Sequence, residues 1–219
     1  MAPELIIVMQ ALWNKYSALA RYLAWIGGAM IMVAALIVST EVICRKLFRF
    51  PFSGSDEIAA YLFAIGTSWS MAFVLISRGH VRIDALYGVF PAALRAIFDL
   101  VALLGLAVLV VALADRSWEI LFDNYSGWNR SNTPLRLVLA YPQSLWFFGW
   151  AFFLLGILLA VLRTLAALLT GDLATVSAIV GVPSQDEEIK GELEGLGIPT
   201  AHGHGTAAPG QGSTPHGRA

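Results

Sequence analysis

Four ionisable side chains follow one another closely at Arg78, His80, Arg82 and Asp84. A histidine and an aspartate can act together as a general base and the group that orients it. Such a pair also needs a nucleophile, a metal ion or a substrate pocket, and the neighbouring sequence offers none of these. We therefore interpret His80 as a hydrogen-bonding residue at a membrane edge. As a hypothesis, the four residues fix the depth and rotation of the preceding helix.

Two further groups of residues are candidates for binding chemistry. Asp56 and Glu57 open an apolar run, where acids are typical of the first turn of a helix, so a role as cap residues is at least as well supported as a functional one. His202 and His204 are too few, and their glycine-rich setting too flexible, to form a closed metal site. The single cysteine, Cys44, excludes an internal disulfide and a multi-cysteine metal site. No catalytic residue, metal site or cofactor is predicted.

The elements that carry these residues are predicted to be membrane-spanning helices. Of the residues 58% are hydrophobic and 13% are charged, whereas about 25% are charged in soluble domains. A helix crosses a hydrocarbon core of about 30 Å with roughly 20 apolar residues. Four runs of this character are residues 22–44, 58–76, 100–114 with their flanks, and 144–169. The sequence therefore predicts an all-α membrane protein with four transmembrane helices.

Length and charge restrict the possible functions. Four spans and short loops account for most of the 219 residues, which leaves no room for a soluble catalytic domain of usual size. A net charge of −1 without a basic patch argues against binding to nucleic acid. One membrane domain with little extramembrane mass is expected.

The two ends of the chain differ from the spans. In residues 1–21 apolar side chains such as Leu12 and Leu19 recur at helical spacing, with Asn14 and Arg21 on the opposite face. This pattern predicts an amphipathic helix on the membrane surface; a plain extension of the first span is the alternative. Residues 171–219 contain a short acidic run at 186–188 and then become rich in Gly, Pro and His, which predicts a flexible, disordered tail. The transmembrane domain is residues 22–170.

Several helix ends can be placed by local signals. Glu41 and Arg45 stand one turn apart and are expected to pair. Pro51 and Gly54 end the first helix, and Ser55 is expected to help cap the second. The third helix should begin at about residue 92, with an Arg95 to Asp99 pair at its start, and continue past residue 114, because a stripe of apolar and aromatic residues persists to residue 125. Pro142 suits the first turn of the fourth helix.

Two features predict contacts in the membrane. Ala60, Ala64, Ser68 and Ala72 form a ridge of small residues, which favours close packing of helices, while the hydroxyls of residues 67, 68 and 70 can bond to their own helix. An aromatic cluster that includes Trp146 and Trp150 suits a membrane interface or the surface of a partner.

Several motifs together resemble the small membrane subunit of TRAP (tripartite ATP-independent periplasmic) transporters. They are Arg45 ahead of a Phe-Pro-Phe turn, Glu57 ahead of Tyr-Leu-Phe, a Gly-Thr-Ser-Trp run, Arg-Gly-His-Val-Arg-Ile-Asp-Ala-Leu before a proline, and Tyr141-Pro142 with Gly156. The resemblance covers roughly residues 21–169.

The resemblance implies that the protein is not an enzyme. Such a subunit binds a large membrane subunit and widens its scaffold, while the large subunit moves an organic acid with sodium as the driving ion, and a periplasmic binding protein delivers the substrate. It also implies a multi-pass protein of the bacterial inner membrane with both termini in the cytoplasm; basic residues divide evenly between the two sides and do not decide the orientation. Candidate residues for structural or interface roles are Arg45, Glu57, Arg78, His80, Arg82, Asp84, Trp146 and Trp150.

Two other classes of function stay open. A small membrane enzyme would need converging polar residues at one membrane face; Glu57 with Arg116, or His80 with Asp84, lacks a third member. A self-sufficient channel or exporter would need a polar face through the middle of the membrane, and the apolar runs supply none.

Overall fold

The computed structural model describes residues 3–49, 52–79 and 92–169, together with Leu193, and the regular elements of its four-helix region are all α-helices. The chain divides into two units, Met1–Val182 and Pro183–Ala219, and the four helices lie in the first. They are α1 Pro3–Phe48, α2 Ser55–Ile76, α3 Ala92–Ser126 and α4 Ala140–Leu169. Each is long and apolar enough to cross a membrane. The prediction of an all-α protein with four helices able to span a membrane is confirmed.

The first helix is longer than predicted. α1 has 46 residues and runs without a break across residue 21, where a separate interfacial helix was expected to end. At 1.5 Å per residue it is about 70 Å long, more than twice the thickness of a hydrocarbon core. The placement of residues 1–21 on the membrane surface stays a prediction. The predicted tail, residues 171–219, lies outside the described residues except for Leu193.

The third and fourth helices begin as predicted. α3 starts at Ala92 and extends to Ser126, well past the uncharged run. Pro142 lies in the first turn of α4, where a missing backbone N–H costs nothing.

The helices pack in the order α1, α2, α4, α3, so that α1 and α3 flank a central pair. Contacts near the two described connections make α1 antiparallel to α2 and α3 antiparallel to α4: Ser55 Oγ lies 2.6 Å from Glu41, and Asn124 lies 3.0 Å from Gln143. One buried cluster includes Leu103 and Val110 of α3 with Phe153 of α4. A second, made by α1, α2 and α4, consists of Tyr16, Ala20, Leu23, Ala72 and Phe152.

Glycine allows α1 and α2 to approach closely. A Cβ atom on Gly27 would lie 2.5 Å from the carbonyl oxygen of Gly66, and one on Gly66 would lie 2.6 Å from the carbonyl oxygen of Gly27. The predicted ridge contributes only in part, because Ser68 and Ala72 are buried but Ala60 is exposed. The glycine pair sets the closest approach because it has no side chains to keep the two backbones apart.

The molecule therefore has two distinct ends. We call the end that contains residues 41–57 and 123–143 the loop end, because both described connections lie there. The opposite end, which contains the first turns of α1 and the last turns of α4, is the terminal end.

Candidate functional site

At the loop end, the carboxylate of Glu57 joins the first turn of α2 to the connection between α3 and α4. It accepts hydrogen bonds from the hydroxyl of Tyr61, at 2.6 Å, and from the hydroxyl of Thr133. The hydroxyl of Ser131 lies 2.8 Å from that of Thr133 and extends the network. Glu57 also stands in the first turn of a helix, where the helix dipole favours negative charge. The carboxylate thus has a structural explanation.

A second carboxylate at the loop end, that of Glu41, is buried between α1 and α2. It accepts a hydrogen bond from Ser55 Oγ at 2.6 Å and forms an ion pair with the exposed Arg45 at 3.9 Å. The predicted pair of Glu41 and Arg45 is confirmed. Ser55, however, does not cap α2. The N-cap position is occupied by Gly54, so no side chain caps the helix there. Ser55 bonds to α1 instead because α1 brings an acceptor within reach.

The connection between α3 and α4 folds over the turn between α1 and α2. Leu135 packs against Gly54, whose φ of 94° lies in the left-handed region and whose missing Cβ leaves the space that Leu135 occupies. Asn124 donates one hydrogen bond to Gln143 at 3.0 Å and accepts another from Asn129 at 3.0 Å. These contacts hold residues 127–139 as an ordered cap on the loop end.

At the terminal end, Arg163 of α4 holds the first turns of α1. Its guanidinium donates to Gln10 Oε1 at 2.6 Å and lies 5.0 Å from the centre of the Trp13 ring. One turn further along α1, Tyr16 stacks on Phe152 at 4.6 Å and donates a hydrogen bond to the carbonyl oxygen of Phe152 at 3.1 Å. The first turns of α1 are therefore packed against α4.

Inside the bundle, the hydroxyl groups of α2 bond to their own helix as predicted. Thr67 donates to Phe63 O at 2.8 Å, and Ser70 donates to Gly66 O at 2.8 Å. Ser117 of α3 does the same with Leu113 O at 2.6 Å. Such bonds satisfy the hydroxyls without a substrate.

The residues predicted from sequence do not come together at one place. Arg45 and Glu57 lie at the loop end, whereas Arg78 follows the end of α2, with φ 55°. Three others, His80, Arg82 and Asp84, lie outside the described residues. Trp146 and Trp150 are half-buried and contact each other edge to face at 6.4 Å. Their predicted roles stay predictions.

The pairing of Glu57 with Arg116 required by an enzyme hypothesis does not form. Arg116 bonds to Glu119 on its own helix and is exposed, while Glu57 bonds to Tyr61 and Thr133. Among the residues that the structure describes, no group of three histidine, cysteine, aspartate or glutamate side chains is placed to hold a metal ion.

An aromatic groove of about 440 Å³ lies between the last turns of α3 and the first turns of α4. Most of its lining side chains are apolar and half or more exposed. They are Trp118, Leu121, Phe122, Tyr125, Trp128, Ala140, Tyr141 and Ser144. Aromatic residues with a polar edge are typical of the membrane interface.

Sequence reasoning missed the partners that join distant segments. The sequence alone assigns no role to Thr133, Leu135, Gln143 or Arg163. The sequence offered only an indirect signal, namely the glycines at positions 54 and 156. In the structure a side chain from a distant segment fills the space that a Cβ atom of Gly54 or Gly156 would occupy.

In a comparison with protein families, a family described as "Tripartite ATP-independent periplasmic transporters, DctQ component" matches residues 34–167. This region is more than half of the chain and includes α2 and α3, nearly all of α4, and the last third of α1. Comparisons with curated proteins and with solved structures find no match.

Proposed function

Because the chain belongs to the DctQ family, the small membrane component of TRAP transporters, we propose that it is a non-catalytic scaffold for the large membrane subunit. In this proposal the large subunit carries out sodium-driven uptake of an organic acid, and a periplasmic binding protein delivers that acid. The chain contributes membrane area and a fixed support. The family match over residues 34–167 is the observation that carries the proposal.

Five polar groups in the described part of the bundle make contacts within the chain, which supports a structural role. The hydroxyls of Thr67, Ser70 and Ser117 bond to their own helices. The carboxylates of Glu41 and Glu57 lie at the loop end and take part in contacts between segments. Secondary transporters usually place substrate and ion sites near the middle of the membrane, on interrupted helices, whereas each of the four helices here is continuous.

Extensive apolar surface is available for a partner. Large side chains that are half or more exposed occur on both flanking helices, such as Trp25 and Met32 on α1 and Val108 and Val111 on α3. A large membrane subunit and lipid together would cover this surface. We further propose that the protein resides in the bacterial inner membrane, with the terminal end in the cytoplasm and the loop end in the periplasm.

Reconstitution into liposomes tests the proposal. Liposomes would contain this chain alone, the large subunit alone, or both, with binding protein, radiolabelled organic acid and a sodium gradient supplied outside. We expect uptake with both membrane proteins and none with this chain alone, and we expect the two to co-purify.

The matched control removes the gradient: the same liposome samples are prepared with the sodium concentration equal inside and outside, and likewise the potassium concentration. Sodium-dependent uptake by this chain alone would refute the scaffold role. Equal uptake by the large subunit with and without this chain, with no co-purification, would refute the partnership.

A further inference from the structure

The uncharged runs of the four helices are staggered in height along the bundle. Between their nearest charged or strongly polar residues the runs are 22–40 in α1, 58–77 in α2, 144–162 in α4 and 100–114 in α3. Contacts between neighbouring helices allow the four runs to be compared on one scale of height, which is measured along the helices.

Three sets of contacts define this scale. Ala20 of α1 packs in one cluster with Ala72 of α2 and Phe152 of α4. Gly149 of α4 lies against Ser68 of α2, because a Cβ atom on Gly149 would overlap the serine side chain.

The third set joins α3 to α4. The rings of Trp118 and Phe147 are 5.4 Å apart, and Asn124 bonds to Gln143 at 3.0 Å. The two helices are antiparallel. A residue of α3 a given number of positions after one of these contacts therefore lies at the same height as the residue of α4 the same number of positions before it.

On this scale, the middle of each run moves steadily in one direction from α1 through α2 and α4 to α3. Ile31, the middle of the α1 run, lies about level with Leu62 of α2, whereas the middle of the α2 run is Thr67. Ala107, the middle of the α3 run, lies about level with Ile157 of α4. The total displacement is roughly 15 residues, or about 22 Å at 1.5 Å per residue.

Two exposed arginines show why the displacement matters. Arg21 of α1 follows Ala20 and so lies near the height of Phe152. Arg116 of α3 lies near the height of Gly149, because the Trp118 and Phe147 rings are in contact two residues further along. Both are close to the middle of the α2 run. In an upright bundle both charges would face lipid near the bilayer centre, where an arginine costs several kcal/mol.

From this stagger we infer that the four-helix row lies obliquely in the bilayer, so that the hydrocarbon contacts an apolar belt that runs diagonally from α1 to α3. Neighbouring helices are about 8–10 Å apart, and a displacement of about 22 Å across three such steps corresponds to a tilt of about 40°. The tilt lies in the plane of the row. It moves Arg21 toward the interface at the terminal end and Arg116 toward the interface at the loop end.

The oblique placement also accounts for two other features. The last turns of α3 and the aromatic groove beside them leave the hydrocarbon at the loop end, so Trp118 and Tyr125 lie among headgroups and water. The first turns of α1 leave it at the terminal end, where Arg163 holds them through Gln10. The apolar belt is in contact with the hydrocarbon of the bilayer. The inference does not depend on the proposed transport role.

Spin-label measurements of depth in the bilayer test the inference. They use two pairs of positions; the two members of each pair have equal height along the bundle, but an oblique bundle places them at different depths in the bilayer. Val33 and Tyr125 form the pair near the loop end, and Leu12 and Leu104 the pair near the terminal end; all four are exposed. Each would be changed to cysteine in the Cys44→Ser full-length chain, labelled, and reconstituted into nanodiscs alone and with the large subunit.

We expect labels at Val33 and Leu104 to be relaxed by oxygen, and labels at Tyr125 and Leu12 by a water-soluble nickel complex. The ratio of the two accessibilities should differ several-fold within each pair, with and without the large subunit. Met32 and Val108, which differ in height but are central in their own runs, serve as matched controls in nanodiscs that contain this chain alone and should be equally deep there. If a variant fails to assemble, Phe122→Cys replaces Tyr125→Cys. Equal ratios within both pairs, and shallower labels at Met32 and Val108, would establish an upright bundle and overturn the inference.

Discussion

At the scale of single residues, Tyr16 depends on the absence of a side chain at Gly156. The tyrosine is buried, stacks on Phe152 and donates a hydrogen bond to the Phe152 carbonyl oxygen. A Cβ atom at position 156 would overlap the tyrosine hydroxyl. One missing methyl group therefore permits the contact between α1 and α4.

We expect Gly156→Ala to lower the free energy of unfolding by about 1–3 kcal/mol, the usual cost of overpacking a well-filled site. Thermal unfolding in detergent measures this loss. Gly105→Ala is the matched control, since a Cβ there meets nothing within 4 Å. It should leave stability unchanged or raise it slightly. The cost should shrink in a Tyr16→Ala background, where the hydroxyl and the ring carbons that a Cβ at position 156 would overlap are both gone; an undiminished cost would contradict this account.

Thr133 is the residue through which the cap, residues 127–139, reaches Glu57. Thr133→Val keeps the shape but removes the donor, and leaves the carboxylate with one partner fewer. We expect faster amide hydrogen exchange in residues 127–139, while Thr67→Val, which removes a hydroxyl bonded within its own helix, leaves those residues unchanged. Unaltered exchange in Thr133→Val would mean that Leu135 and the asparagine contacts hold the cap without Glu57.

At the scale of elements, α1 and α2 are joined by a contact that distinguishes two adjacent glycines. Gly27 faces the backbone of Gly66, whereas a Cβ atom on Gly28 meets nothing within 4 Å. The two residues share a helix turn and a membrane depth. They therefore form a closely matched pair for testing helix packing.

We expect Gly27→Ala to lower thermal stability and Gly28→Ala to leave it unchanged or increased, because only the first forces the two backbones apart. The expected loss for Gly27→Ala is about 1–3 kcal/mol. Equal effects of the two substitutions would show that α1 and α2 do not approach at this face.

At the scale of the whole molecule, four continuous helices place both described connections on the same side of the membrane. The connections at residues 49–54 and 127–139 share the loop end. Activity reporters fused after residues 54 and 127 should therefore report one compartment, and fusions after residues 88 and 171 the other. Reporter enzymes that are active only in the periplasm or only in the cytoplasm measure this. Two successive fusions on the same side would refute four spans.

Much of the fold could be predicted from the sequence because membrane insertion is decided segment by segment. The absence of charge over residues 58–76 is a local property, and it is enough to predict a spanning helix. The pairing of Glu41 with Arg45 and the bonds of Thr67 and Ser70 within α2 are local too, because helix geometry places residues three or four apart on one face.

The candidate site was less predictable because its contacts join residues far apart in sequence. Glu57 was recognised as a first-turn acid, but its partner Thr133 lies 76 residues away. Ser55 has the side chain of a cap residue yet bonds to Glu41, because α1 supplies a better placed acceptor. No local pattern distinguishes these outcomes.

By itself the sequence determined that the protein has four helices long and apolar enough to cross a membrane and that it resembles the family to which it belongs, since apolar length and short motifs are carried by single segments. Only the tertiary structure decided which of Gly27 and Gly28 meets α2, that α1 continues to Arg163 of α4, and that the uncharged runs are staggered. These features depend on the rotation and axial displacement of one helix against another. They are set by packing between all the helices, and each helix taken alone leaves them undetermined.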